Sequence, residues 1–271
     1  MRSEPLLIWL KPGYLGDAVM ATPLLDAVSE SGQRPFVLAG RLVRELLADR
    51  AERLEFLEAL ELGSPSRLLR QAAALKSQSI ETALLVNRSF RSALCARMAG
   101  IKTRIGHATE WRGMLLSRRV PYPPLRFEAE CYLDLARAAG LDAMTRLPKL
   151  TITSAEAEQG RTLAAGAQIG IQPGARYEAK RVPLQVMAKV ASQLIESGRS
   201  VVLIGGPDEG EQAASLAALT GQDGLVDLVG RTSLRQTMGV LGGLSAVVGS
   251  DTGVMHVAAA LGTPTVTVFG P

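Results

Sequence analysis

At 271 residues the chain is long enough for two domains of ordinary size, each with its own core. Aromatic residues make up only 4% while Ala, Leu, Val and Gly abound, which suits an α/β protein of short strands and Ala-rich helices, and the net charge of +4 suits acidic ligands or an anionic surface. Cys95 and Cys131 stand far apart without a C-x-x-C pair, and His107 and His256 are the only histidines, so neither a disulfide framework nor a zinc site is indicated and a His-rich metal cluster is excluded. The amino terminus, Met1-Arg2-Ser3-Glu4-Pro5 before Leu6-Leu7-Ile8-Trp9-Leu10, carries too short an apolar core for a signal peptide. No apolar run approaches the roughly 20 residues of a membrane span. A cytoplasmic protein is the expectation.

Leu6 to Leu10 reads as a first buried strand feeding the loop Lys11-Pro12-Gly13-Tyr14-Leu15-Gly16-Asp17. A helix is predicted from about Ala18, with Val19, Met20 and Leu24 or Leu25 inward and Pro23 within its first turns. Asp17 then stands at a helix start at the mouth of a sheet. It can be an N-cap, or a carboxylate facing a ligand that accepts a proton from a substrate hydroxyl. Phe36–Ala39 is a second strand and Arg41–Asp49 a helix; the mixed pattern from Arg50 to Leu62 fixes no element. Ser66–Lys76 reads as an amphipathic helix, Thr82–Val86 as a third strand, Ser89–Ala99 as a helix and Thr103–Gly106 as a short strand.

Between Arg88 and Arg126 the basic residues are Arg88, Arg91, Arg97, Lys102, Arg104, Arg112, Arg118, Arg119 and Arg126, against Glu110 alone. Solvated surface charge accounts for such a bias; so does a groove for an anionic substrate or lipid headgroup. Aromatic interleaving is sparse (Phe90, Trp111, Tyr122), which argues against nucleic acid as a partner. Phe127–Ala139 is a helix closed by Gly140, and Leu147 to Gly166 looks like a connector carrying one helix. A boundary there divides the chain into domains 1–150 and 151–271.

The second half restarts the strand–helix alternation. Gln168–Gln172 is a strand ending in Pro173-Gly174-Ala175-Arg176-Tyr177-Glu178-Ala179-Lys180-Arg181, with Pro183 opening the helix Leu184–Ser197. Arg176, Lys180 and Arg181 thus lie at a strand's carboxyl end, as surface charge or as part of a diphosphate site. Ser200–Ile204 is a strand, followed by Gly205-Gly206-Pro207-Asp208-Glu209 and a helix from Glu211 to Leu219. Glu209 or Asp208 can accept ribose hydroxyls, or simply favour a helix start. Leu225–Val229, the Ser233–Leu241 helix, Ala246–Val248 and Thr265–Val268 complete a parallel sheet.

Gly249-Ser250-Asp251-Thr252-Gly253-Val254-Met255-His256 links the strand before it to an Ala-rich helix that Gly262 and Pro264 stop. The turn at a strand's carboxyl end and a helix's amino end is where open α/β sheets take ligands, and free N–H groups with the helix dipole favour phosphate. Asp251 or Thr252 can cap, Gly253 admits close backbone approach, and His256 lies one turn beyond Thr252. A capped helix start with a tolerated histidine fits the same pattern. Walker A, strand-to-helix G-x-G-x-x-G, G-x-S-x-G, H-E-x-x-H and D-x-D patterns are all absent from the sequence.

Gly16-Asp17, Pro173-Gly174-Ala175 with Lys180-Arg181-x-Pro183, Gly205-Gly206-Pro207-x-Glu209, Gly230-Arg231-Thr232-Ser233-Leu234, and Ser250-Asp251-Thr252-Gly253-x-x-His256 with Phe269-Gly270-Pro271 follow one another in this order. In this the chain resembles glycosyltransferase family 9, the ADP-heptose:lipopolysaccharide heptosyltransferases. Asn87-x-Ser89-Phe90-x-Ser92-Ala93-Leu94, Arg104-x-Gly106 and Glu110-x-Arg112 look most like its heptosyltransferase II branch.

The resemblance implies a GT-B architecture, two Rossmann-like parallel-sheet domains facing across a cleft, the acceptor bound by the first and the nucleotide sugar by the second. It implies inverting, metal-independent transfer of heptose from ADP-heptose, with no cofactor, to an anionic lipopolysaccharide core acceptor at the inner face of the cytoplasmic membrane. Asp17 then resembles the base and Lys180 the cation that neutralises the departing diphosphate. Gly174, Arg176, Glu209, Thr232, Asp251, Thr252, Gly253 and His256 fall among the donor-binding residues, and Arg88, Arg104 and Arg112 toward the acceptor. Family members usually continue past Phe-Gly-Pro, so a carboxyl-terminal segment is expected to be missing here. A GT-B sugar-nucleotide epimerase and a non-catalytic nucleotide-sugar-binding relative are the competing expectations.

Overall fold

Leu6–Trp9 forms the first strand, β1, with all four side chains buried. A strand covered on both faces needs an unbroken apolar run, and this one supplies it. The computed structural model describes residues 5–221 and 224–270. Met1 to Glu4, the Glu110 side chain and Pro271 lie outside the described residues. Two compact units divide the chain, Met1–Pro148 and Lys149–Pro271.

In the first unit β1 is joined by β2 (Phe36–Ala39), β3 (Glu55–Glu58), β4 (Thr82–Leu85), β5 (Thr103–His107) and β6 (Arg118–Val120) in one sheet of order β3-β2-β1-β4-β5-β6. Every pairing is parallel. Helices α1 (Leu15–Met20), α2 (Thr22–Glu30), α3 (Arg41–Leu46), α4 (Pro65–Lys76) and α5 (Phe90–Met98) lie in the crossovers, and α6 (Glu128–Ala138) follows the last strand. Strand order reverses between β1 and β4, so the crevice beyond their carboxyl ends is the natural ligand position of this unit. The loops after β1 and β4 carry Asp17 and Arg88.

The second unit repeats the plan with α7 (Ser154–Ala164), β7 (Ile169–Gln172), α8 (Leu184–Glu196), β8 (Val201–Leu203), α9 (Gly210–Thr220), β9 (Leu225–Asp227), α10 (Leu234–Gly243), β10 (Ala246–Ser250), α11 (Gly253–Ala260) and β11 (Thr265–Val268). Its all-parallel sheet runs β11-β10-β7-β8-β9. The order reverses between β7 and β10. The loops that leave these two strands carry Lys180 and Asp251.

Three local differences from the sequence reading have physical causes. The single helix expected from Ala18 is two helices, because Pro23 lacks an N–H and opens α2, while the Thr22 hydroxyl bonds Val19 O at 2.8 Å across the break. The undecided stretch from Arg50 to Leu62 contains the edge strand β3, whose Glu55 and Glu58 point to solvent and mask its period. The third is β6, a short edge strand of which Arg118 and Arg119 are exposed, so nothing in its composition announced it.

Helix α7 is held against α10 by backbone contact. A Cβ on Gly160 would overlap the carbonyl of Gly239, and one on Gly239 would overlap that of Glu156. The same crossing is clamped by Arg235, whose Nε and Nη2 meet the two Glu156 oxygens at 2.6 Å each. Glu156 also closes a capping box with Thr153. Together these donors hold its carboxyl down at about 2.

Gly160→Ala is expected to lower stability by about 2–3 kcal/mol through overpacking. Gly210→Ala, with nothing within 4 Å of the added carbon, serves as the neutral reference in urea unfolding. Equal midpoints for the two variants would refute the close crossing. For Glu156 the native carboxyl lies below its ordinary 4.5, so its contribution is full above that pH and disappears as pH falls toward about 2. Glu156→Gln should therefore cost about 1–3 kcal/mol near neutrality and flatten the acid limb of the stability curve, read by denaturation at a series of pH values.

Candidate active site

In the second unit the loop after β7 is anchored to β10 by buried groups. Val182 N–H donates to the Ser250 hydroxyl at 3.1 Å, which fixes where the preceding turn, Glu178–Lys180, can reach. Lys180 Nζ lies 2.5 Å from Asp251 Oδ2, and His256 Nε2 lies 3.5 Å from Asp251 Oδ1. One carboxylate thus gathers an ammonium from one strand's loop and an imidazole from the first turn of α11. All three side chains remain partly exposed, at 37%, 21% and 33%. A ligand can reach them.

Thr252 occupies the N-cap position of α11 by its backbone, but its hydroxyl makes no capping bond and is enclosed without a partner. Asp251 does not cap the helix either. Among the described residues no side chain bonds the first-turn N–H groups, which begin at Gly253. Beside them an open pocket of about 390 Å³ is lined by Asp251, Met255, His256, Ala259, Thr265, Thr267 and Phe269. An uncapped helix start flanked by Lys180 suits an oxyanion.

Glu209 lies beneath this rim rather than on it. Its Oε2 accepts from Gly206 N–H at 2.9 Å and its Oε1 from the Gln172 amide. A Cβ on Gly174 would stand 2.7 Å from Oε1, and one on Gly205 would meet Oε2 as well. Burial pushes the Glu209 carboxyl up, against those two donors. Asp208, the register alternative, is exposed. Thr232 shares a hydroxyl contact of 2.8 Å with Thr237 below the Gly230 turn, and Arg176 is exposed on the loop after β7.

In the first unit Asp17 lies inside the first turn of α1, and the N-cap position belongs to Tyr14, so Asp17 is not a cap. Its Oδ1 accepts from the Tyr132 hydroxyl at 3.1 Å and its Oδ2 is 3.8 Å from Lys11 Nζ, with the side chain 25% exposed. Lys11 in turn sits over the Tyr14 ring, 3.5 Å from its centroid. Arg88, after β4, bonds Glu128 Oε1 at 2.7 Å and stacks 4.2 Å over Tyr122, whose hydroxyl bonds Glu128 Oε2 at 2.9 Å. Tyr132 and Gln172 are not singled out by the sequence, which shows Ser250 only as part of the turn before Asp251. Tyr132 reads as one more core residue of an amphipathic helix; only the paired carboxylate gives its hydroxyl a purpose.

Two expected acceptor residues are corrected by the fold. Arg112 is fully buried, and its guanidinium donates to Asn87 O at 2.7 Å and Leu85 O at 3.4 Å, filling the space left by Gly106. It tethers the end of β4 from inside and presents nothing to a ligand. Arg104 pairs with Ala83 in the register, toward the amino end of the sheet, while Gly106 pairs with Leu85 at the carboxyl end. Its guanidinium is occupied by the carbonyls of Leu115, Ile101 and Lys102. Of the three arginines, Arg88 alone stands at the carboxyl rim. The basic bias from Arg88 to Arg126 is also offset locally, since Glu128, Glu130 and Asp134 of α6 pair with Arg88 and Arg126.

A family model described as glycosyltransferase family 9 (heptosyltransferase) matches residues 68–271. The chain belongs to glycosyltransferase family 9. Among its relatives, lipopolysaccharide heptosyltransferase 2 of Salmonella typhimurium LT2 is 31% identical, over 98% of this chain and 82% of that one. The protein of the same name from Escherichia coli K12 is 29% identical over the same shares. The solved structure of E. coli ADP-heptose LPS heptosyltransferase II aligns with a TM-score of 0.81 at 28% identity, covering 97% of this chain and 84% of that one. This family 9 member is accordingly a glycosyltransferase of GT-B architecture, with a Rossmann-like parallel sheet in each unit.

Arg112→Met is expected to lower stability by about 2–4 kcal/mol by orphaning buried carbonyls, whereas the surface pair of Arg126 is worth under about 1 kcal/mol. Equilibrium denaturation of both variants decides it. Full stability of Arg112→Met would return this arginine to the ligand surface.

Proposed function

We propose that this glycosyltransferase transfers heptose from ADP-heptose to the inner core of lipopolysaccharide, an anionic glycolipid, with inversion at the anomeric carbon. The observation that carries the reading is the grouping of Lys180 and His256 on Asp251 at the uncapped start of α11, the kind of site a nucleotide diphosphate needs. Membership of family 9 and the names of the relatives above support heptose as the sugar and the lipopolysaccharide core as acceptor.

The second unit binds the donor. Lys180 and the first-turn N–H groups at Gly253 receive the diphosphate, with Arg176 available from the same loop as Lys180. Glu209, Gly174 and Thr232 form the floor on which the rest of the nucleotide lies. The first unit binds the acceptor through Arg88 and supplies Asp17. An acceptor hydroxyl oxygen attacks the anomeric carbon from the face opposite the diphosphate, its proton passes to the Asp17 carboxylate, and the bond from carbon to diphosphate oxygen breaks with the electron pair leaving on ADP. Lys180 and the helix dipole stabilise the charge that develops on ADP, the task a divalent ion performs in metal-dependent transferases. Metal-independent transfer is part of this proposal. Among the described residues no helix is long and apolar enough to cross a membrane. Peripheral contact with a glycolipid at the inner face of the cytoplasmic membrane is part of the same proposal.

Asp17→Asn should reduce kcat by about 100- to 10,000-fold while ADP affinity, read by calorimetry, stays within twofold. Lys180→Met should weaken ADP binding about 10- to 100-fold through the lost charge-assisted contact. Product analysis by mass spectrometry with ADP-heptose and a lipid-A-core acceptor reads the transfer itself, and a chelator should leave its rate unchanged. Sugar altered without acceptor would identify an epimerase; ADP binding with no turnover would identify a non-catalytic relative. A full-rate Asp17→Asn enzyme removes Asp17 as the base.

A further inference from the structure

Tyr132 is a large side chain, 2% exposed, on the buried face of α6. Phenylalanine would fill the same volume without burying a hydroxyl, which costs free energy unless it is bonded. The hydroxyl donates to Asp17 Oδ1 at 3.1 Å, across 115 residues of chain. Its second neighbour is the Glu128 carboxylate. That carboxylate is already supplied on both oxygens, by Arg88 at 2.7 Å and by the Tyr122 hydroxyl at 2.9 Å. Among the described residues Asp17 has no comparable partner: Lys11, at 3.8 Å and partly exposed, is a loose one. A phenol has one proton to give, and the crowding at Glu128 directs it to Asp17. Burial, with the two carboxylates nearby, pushes the Tyr132 phenol well up, so it keeps that proton throughout the working range.

We infer that Tyr132 is a positioning residue for the reaction: its buried hydroxyl holds Oδ1 of Asp17, fixing the carboxylate so that Oδ2 faces the acceptor hydroxyl. This rests on the reading of Asp17 as the base. The carboxylate is on α1, a helix of six residues that a break separates from α2. It therefore needs an anchor from elsewhere in the unit, and α6 provides it through the hydroxyl. Tyr132 touches no substrate. It acts by occupying Oδ1 and leaving Oδ2, which Lys11 approaches only to 3.8 Å, open to the acceptor, and the rate depends on that alignment because a displacement of about 1 Å at a reacting group costs up to about 100-fold.

The test is a double-mutant cycle of Tyr132→Phe and Asp17→Asn, with kcat and KM measured for transfer from ADP-heptose to a lipid-A-core acceptor and ADP affinity by calorimetry. Tyr132→Phe is expected to lower kcat about 10- to 100-fold with donor KM and ADP affinity within twofold, and to change the residual rate of Asp17→Asn by less than twofold. A structural role alone would move stability and both kinetic constants together. If Asp17→Asn is inactive and Tyr132→Phe turns over at the full rate, the positioning role is wrong and the base reading stands. Tyr132→Phe lowering the Asp17→Asn residual rate by the same factor as the parent rate also overturns it, since the hydroxyl then acts apart from Asp17. A full-rate Asp17→Asn enzyme removes the base reading and this inference with it. Should Tyr132→Phe fail to fold, 4-fluorophenylalanine at 132 fills the space of the hydroxyl with no proton to donate; a fall in kcat of about 10- to 100-fold at unchanged ADP affinity supports the contact, and an unchanged kcat overturns it.

Discussion

Two neighbouring parallel strands whose chains leave in opposite directions cannot cover their own carboxyl ends. Each unit of this protein is built around one such pair, β1 with β4 and β7 with β10. The right-handed crossovers that a parallel sheet requires carry the chain away on either side and leave an open crevice between. Everything chemically notable stands there: Asp17 and Arg88 in one unit, Lys180, Asp251 and the start of α11 in the other. The remaining helices cover the sheet faces with Ala, Leu and Val and contribute to the site only by holding those loops in place.

Within that frame electrostatics sets the detail. Lys11, Arg88, Lys180 and Arg181 at the rims each have an acidic or carbonyl partner. Lys180 is held by Asp251 in a partly exposed position where screening keeps the pair weak enough to be shared with an incoming anion. Arg112 is the opposite case, a cation wholly removed from water whose two Nη groups donate to backbone oxygens, and its value is to the fold.

The alternation of strands and helices was legible because each apolar run is bounded by Gly, Pro or a capping residue, and a buried parallel strand has no other way to be written. Loop positions followed from it, so Asp17, Lys180 and Asp251 were found at strand ends. What the sequence did not carry was direction. Arg88, Arg104 and Arg112 have the same chemistry within one window, and only strand register and burial separate a rim residue from a structural one. Tyr132 was hidden for a related reason, since helical spacing marks it as core and says nothing of what its hydroxyl meets. Pro23 was visible, but whether it opens a second helix or sits in the first turns of one depends on how the preceding turn packs.

Glu209, wedged between two glycines, links the loop after β7 to the loop after β8. Any added carbon at 174 or 205 strikes its carboxylate, and withdrawing the carboxylate strands the Gln172 amide and the Gly206 N–H. Positions 174, 205 and 209 are therefore coupled, because a larger residue at either glycine displaces the Glu209 carboxylate from its two donors.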